Sequence, residues 1–234
     1  MESELELAKP GLDVGVFTNR LDEMRSFYEG TLGLPYEELL KLGGGVHQHR
    51  LGLRGSVLKL NHARDRLEEA RSCLRRLIVS GPGTAERRVE RDPDGLEVAV
   101  VPPGDEGVDR IGVLWASREP RRLGALLRDG FGAAPDGPRR WRIGSTALLL
   151  VEDAAATHDG PLRRRGFRYL TVQVRDVRAA HARLLDVGWS EGSPPTRLGE
   201  VAMVSFVRDP DGVWVEVSQR ASLTGPLPDV TAPG

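Results

Sequence analysis

Two copies of one turn constrain this chain more than any other feature. Arg91-Asp92-Pro93-Asp94-Gly95 runs into Leu96-Glu97-Val98-Ala99-Val100, and Arg208-Asp209-Pro210-Asp211-Gly212 runs into Val213-Trp214-Val215-Glu216-Val217. Asp, Pro and Gly at these turn positions suit a type I turn. The alternation after each turn marks a strand with one buried face. The repetition is wider than the turns. Asp13-Val14-Gly15-Val16 and a helix through Met24, Phe27 and Tyr28 to Leu32-Gly33-Leu34-Pro35 open the first half. Arg110-Ile111-Gly112-Val113 and a helix through Leu123, Leu126 and Leu127 to Phe131-Gly132-Ala133-Ala134-Pro135 open the second.

The halves differ in length where a helix is lost. Phe167–Val174 reads as a strand and Val177–Leu185 as a helix with apolar residues at 3–4 spacing. The matching strand of the first half, Arg75–Val79, meets Gly81-Pro82-Gly83 and leaves no room for a helix before its turn. The second quarter has therefore lost its helix and one strand. Upstream, Asp65–Arg76 reads as an amphipathic helix that turns Cys73 toward the core. His62, His158 and His181 read as turn or surface residues.

With 234 residues the chain can form one large domain or two of about 100 residues each. A net charge of −1 offers no global field to nucleic acid or an anionic membrane. A single cysteine excludes an internal disulfide framework and a Cys-based metal cluster. Met1-Glu2-Ser3-Glu4 is acidic and unlike a signal peptide, and no apolar run approaches the ~18 residues of a membrane span. The expected location is the cytoplasm.

A strand, a helix ending in Phe27-Tyr28-Glu29-Gly30-Thr31-Leu32-Gly33-Leu34, and three further strands resemble the βαβββ module of the vicinal oxygen chelate superfamily, which includes glyoxalases, bleomycin-resistance proteins and extradiol dioxygenases. Asp209-Pro210-Asp211-Gly212-Val213-Trp214-Val215-Glu216 is similar to the glutamate-bearing last strand of glyoxalase I and the ring-cleaving dioxygenases. Gly55–His62 resembles another glyoxalase strand, with Lys59 where that strand has glutamate. Four such modules cover about 10–62, 74–103, 108–152 and 166–219. The resemblance implies an α+β fold in which paired βαβββ modules form two curved mixed sheets, or cups, with helices packed outside. The expected division is an N-terminal tail 1–9, a first glyoxalase-like domain 10–104 with a degenerate second module, a second such domain 105–220, and a flexible tail 221–234.

Strand parity predicts what enters each cup. Asp13, Lys59, Arg76, Glu97 and Ala99 belong to the first; Arg110, Leu149, Tyr169, Thr171, Gln173, Trp214 and Glu216 belong to the second. Glu216 and Tyr169 are the candidate catalytic residues, and Arg110, Gln173 and Trp214 the candidate substrate-binding residues. The resemblance implies a divalent metal (Fe, Mn, Zn or Ni), yet these positions supply few ligands, since Arg has no lone pair to donate and a cation opposes metal binding. The metal candidates are Glu216, Asp13 and the pair His47 and His49, whose spacing suits a two-histidine, one-carboxylate set. Alternatively, the two histidines decorate a solvent-facing strand, and the charges of the first cup form an ion network that plugs it.

Three function classes fit. One is a binder of a small planar or carboxylated organic molecule in the second cup, as in the drug-sequestering members of the superfamily. Another is a metal-dependent lyase, isomerase or extradiol-type dioxygenase with atypical ligands. The third is a non-catalytic scaffold whose exposed sheet face forms a homodimer.

Overall fold

The computed structural model describes residues 5–81 and 83–228. The start Met1–Glu4, Pro82 and the end of the expected tail, 229–234, lie outside the described residues. The first module contains β1 (Asp13–Thr18), α1 (Leu21–Arg25), a π-type turn over Ser26–Thr31, β2 (Tyr36–Gly43), β3 (Val46–Leu53) and β4 (Ser56–Ala63). Among the described residues the second has only β5 (Leu74–Ser80), β6 (Arg88–Arg91) and β7 (Glu97–Val101), with no helix and one strand fewer. The third contains β8 (Ile111–Ser117), α2 (Pro120–Phe131), β9 (Ala134–Pro135), β10 (Arg140–Ile143) and β11 (Thr146–Glu152). The fourth contains β12 (Gly166–Gln173), α3 (Val177–Asp186), β13 (Ser190–Leu198), β14 (Ala202–Arg208) and β15 (Trp214–Arg220), and the short α4 (Ala221–Thr224) follows it.

Local chemistry accounts for these elements. In α2, Pro120 occupies the first turn, where a missing N–H costs nothing. Leu123, Leu126, Leu127 and Phe131 form its buried stripe, and Gly132 closes it in the left-handed conformation at φ 68°. The Asp176 side chain caps α3 by accepting from the Arg178 and Ala179 backbone N–H groups.

The sheet pairing departs from the division expected along the chain. The eight-stranded sheet has the order β13-β14-β15-β12-β1-β4-β3-β2, and the seven-stranded sheet β6-β7-β5-β8-β11-β10-β9. Modules one and four therefore share one cup, and modules two and three share the other. The seams are antiparallel: β1 meets β12 with Asp13 opposite Thr171 and Gly15 opposite Tyr169, and β5 meets β8 with Leu77 opposite Val113. Residues 10–104 form no sheet of their own, nor do 105–220.

The outer faces of both sheets and the helices between them close over one hydrophobic core, which includes Val14, Met24, Leu51, Leu77, Val98, Val113, Trp115, Leu123, Val172 and Val215. Leu77 and Val98 of the helix-less module are fully buried within the chain. The uncovered face that motivated a dimer scaffold is thus already covered. The cup face of the seven-stranded sheet carries a small apolar cluster of Ile78, Ala99, Val101, Val108 and Ala147, together with the half-buried Arg76–Glu97 pair.

The tails are docked where they are described. Leu7 bridges to Val174, and Ala8 N–H donates to the Gln173 carbonyl. At the other end Ala221 N–H donates to Val201, and Leu227 is buried. The helix expected over Asp65–Arg76 is absent: residues 66–72 form no regular element before β5, and Cys73 is buried. His158 and His181, expected near the surface, are buried too; His158 Nδ1 accepts from Cys73 N–H.

Candidate functional site

The concave face of the eight-stranded sheet encloses a cavity of about 800 Å³. Its walls come from both modules. Phe17, Tyr169 and Phe206 form an aromatic row, with ring centroids 6.1 Å apart for Phe17–Tyr169 and 5.9 Å for Tyr169–Phe206. Leu162 lies against this row, and Leu39, Leu42, Leu198 and Val201 form an exposed apolar rim. Gly15 makes room for Tyr169, because a Cβ there would lie 2.1 Å from the tyrosine ring.

The floor is polar and buried. Lys59 Nζ lies 2.8 Å from Glu216 Oε2 and 2.9 Å from Thr171 Oγ1, and the threonine hydroxyl donates to the same carboxylate oxygen at 3.0 Å. An ammonium has three N–H donors, so one remains for a ligand in the cavity that Lys59 lines. Beside it runs an amide chain: Arg50 donates to Gln48 Oε1, Gln48 Nε2 to Asn61 Oδ1, and Asn61 Nδ2 to the Tyr169 hydroxyl. Burial, and then the nearby Glu216 carboxylate, push the Tyr169 phenol well above its ordinary range, so it stays neutral. Farther along, Asp13 Oδ1 accepts from Lys9 Nζ and Val57 N–H, and Oδ2 from Gln173 Nε2 at 3.1 Å. Gln173 Oε1 is buried and has no hydrogen-bond partner.

Of the residues singled out in the sequence, Glu216, Tyr169 and Gln173 line this cavity. Lys59, assigned to the other cup, joins them because module one pairs with module four, while Asp13 lines a neighbouring cavity together with Gln173. Trp214 shares their sheet face but stands behind Phe206, 6.1 Å away between centroids, with Arg208 over its ring. Arg110 is not in this cup: it is exposed, and it precedes β8 of the seven-stranded sheet. His47 and His49 share parity with Leu51 and Leu53, whose side chains enter the hydrophobic core, so both face away from the cavity that Gln48 and Arg50 line. His47 is exposed, and burial, followed by the Arg25 charge, lowers the pKa of His49. The two-histidine, one-carboxylate set with Asp13 is therefore not assembled.

The positions that the family resemblance would give to a metal do not fit a divalent ion. An ammonium, Lys59, is bonded to the one carboxylate lining the cavity, and Asp13 already accepts from three donors, one of them the Lys9 ammonium. Among the described residues no group of three His, Cys, Asp or Glu side chains could hold a metal. Sequence reasoning did not single out Arg50, Asn61, Phe206 or Arg220. The parity of Leu51 and Leu53 was the available signal for Arg50, since it assigns Gln48 and Arg50 to the opposite, cup-facing side.

Residues 123–217 match the model of the Glyoxalase/Bleomycin resistance protein/Dioxygenase superfamily. A lactoylglutathione lyase from Pseudomonas aeruginosa is 33% identical over 101 residues, which is 40% of this chain and 56% of that protein. The chain thus spans little more than half the length of that relative. The fold is similar to glyoxalase I from Zea mays, with a TM-score of 0.69 at 12% identity over 89% of this chain and 92% of the other. It is also similar to the CppA protein from Streptococcus pneumoniae, with a TM-score of 0.52 at 14% identity over 93% of this chain and 100% of that one. The repeated turns, the paired-module cups and the matched segment converge: residues 123–217 carry the match to the Glyoxalase/Bleomycin resistance protein/Dioxygenase superfamily, and the chain shares the fold of glyoxalase I.

Proposed function

We propose that the protein binds a small, planar, carboxylated organic molecule in the cup of the eight-stranded sheet, without a metal ion. The observation that carries this reading is the aromatic row of Phe17, Tyr169 and Phe206 above a floor and rim whose charges are mostly positive. Lys41, Arg50, Lys59, Arg197 and Arg220 line the cavity with one acid, Glu216, while the acids paired with the three arginines, Glu38 and Glu200, stand outside its lining. Aromatic faces take a planar body, and the cationic excess favours an anionic group. Lys59 supplies in fixed form the positive charge that a bound cation would otherwise bring to Glu216. If the bound molecule is also transformed, Glu216 is the base, since it is the one carboxylate among the cavity-lining residues. The lyase activity named for the Pseudomonas relative is a second reading, carried by the matched segment and by this carboxylate.

Thermal shift and calorimetry with a panel of aromatic and aliphatic carboxylates test the binding reading. Aromatic acids are expected to raise Tm and to bind equally well with and without EDTA. Phe206→Ala is expected to weaken them about tenfold, the order of one lost aromatic contact. A flat response across the panel, or binding that disappears on chelation, would overturn the proposal.

A further inference from the structure

Across the cup, one half-buried acid serves two arginines from different modules. Glu38 lies on the edge strand β2, Arg50 on its neighbour β3, and Arg220 at the end of β15 in the fourth module. Arg220 Nη2 donates to Glu38 Oε1 at 2.6 Å, and Arg50 Nε lies 3.0 Å from the same oxygen without the alignment of a hydrogen bond. The guanidinium of Arg50 is nearly buried, at 7% exposure, whereas the Glu38 side chain is 40% exposed. Both arginines line the 800 Å³ cavity and also a neighbouring one of about 610 Å³, where Glu38 joins the wall. Gln173 lines both as well, with its unpartnered buried Oε1.

We propose that Arg50 and Arg220 form the carboxylate subsite of the cup, filled by Glu38 in the free protein and vacated when an anionic ligand binds. This rests on the cup being the ligand site. A guanidinium is shaped for two parallel bonds to a carboxylate, whereas Glu38 meets both arginines through a single oxygen. A ligand carboxylate approaching from inside the cavity can use both of its oxygens. The leaving acid rehydrates easily on an edge strand, while the buried Arg50 must be paired at all times. Gln173 Oε1 then accepts an N–H or O–H of the same molecule, which narrows the ligand class to hydroxy or amido carboxylic acids.

The test compares wild type with Glu38→Ala, using acetate, benzoate and the neutral benzyl alcohol as probes at constant ionic strength. Glu38→Ala is expected to lower Tm, with acetate or benzoate restoring it. Benzoate is expected to bind this variant about tenfold tighter than wild type, the scale of a removed competing charge. Benzyl alcohol should bind both alike, and Arg50→Gln added to Glu38→Ala should abolish the gain. Unchanged or weaker benzoate binding would overturn the subsite, as would an equal gain for benzyl alcohol, which would report opened space and not charge. If Glu38→Ala does not fold, Glu38→Gln keeps the side chain's shape and carries the same comparison. Failure of the cup reading is distinguishable: none of the three probes binds wild type, and Phe206→Ala changes nothing.

Discussion

Asp92 and Asp209 occupy the same place in the two turns but differ in their surroundings. Each uses Oδ1 to accept backbone N–H groups of its turn: Asp94 and Leu96 in the first, Asp211 and Val213 in the second. Asp92 Oδ2 also accepts the Tyr28 hydroxyl at 2.8 Å, while Asp209 Oδ2 is buried without a partner. Burial pushes the Asp209 carboxyl up to about 7, against which its backbone hydrogen bonds work only partly. The unfolded chain loses this proton near the ordinary carboxylate value, before the folded protein does. The stability contributed by the neutral form is therefore present at low pH and lost as pH rises from about 4 through 7. Asp209→Asn keeps the Oδ1 acceptor and removes the titration. It is expected to be more stabilising at pH 8 than at pH 5, by on the order of 3 kcal/mol, in urea melts at both pH values. An equal effect at the two pH values would contradict this account. Much at this scale was legible in the sequence. Strand parity alone sends Asp13, Lys59, Tyr169, Gln173 and Glu216 to a concave face. The Lys59–Glu216 contact was not legible, because nothing in either strand names the other as its partner.

Among the elements, α2, α3 and strands such as β1, β7, β8, β12 and β15 follow from periodicity and turn chemistry, but the connector before β5 does not. Its apolar spacing reads as helix, yet its backbone groups are claimed by distant side chains. Asn19 Nδ2 donates to the Asp65 carbonyl and its Oδ1 accepts Leu67 N–H, while Arg165 N–H donates to Glu68. Arg168, fully buried in β12, donates to the carbonyls of Arg71, Asp159 and Pro161. Burial lowers the pKa of this guanidinium to about 10, so it remains charged. One arginine therefore ties together the two connectors that cross between the sheets. Arg168→Met should strand several of these carbonyls and cost at least about 2 kcal/mol in urea denaturation. Limited proteolysis should also cut faster within 64–72. Unchanged cleavage there would show that the connector is held by other contacts.

At the scale of the molecule, the two cups are built from the outer pair and the inner pair of modules, around one shared core. Neither half of the chain owns a complete sheet. Fragments 1–104 and 105–234 are each expected to lack a cooperative thermal transition by circular dichroism, while the full chain melts once. A cooperative melt of either fragment alone would contradict the shared-core account. The sequence by itself determined the modules, their turns, the loss of a helix in the second, and which side chains each strand turns toward a cup. Those properties are local, set by side-chain alternation and turn geometry over a few residues. Only the tertiary structure decided which modules pair. That choice rests on hydrogen bonds between strands far apart in sequence, such as β1 with β12, and backbone ladders carry no residue code for their partner. By pairing the first module with the last, the fold brings together Lys59 with Glu216 and Arg50 with Arg220, and assembles the site.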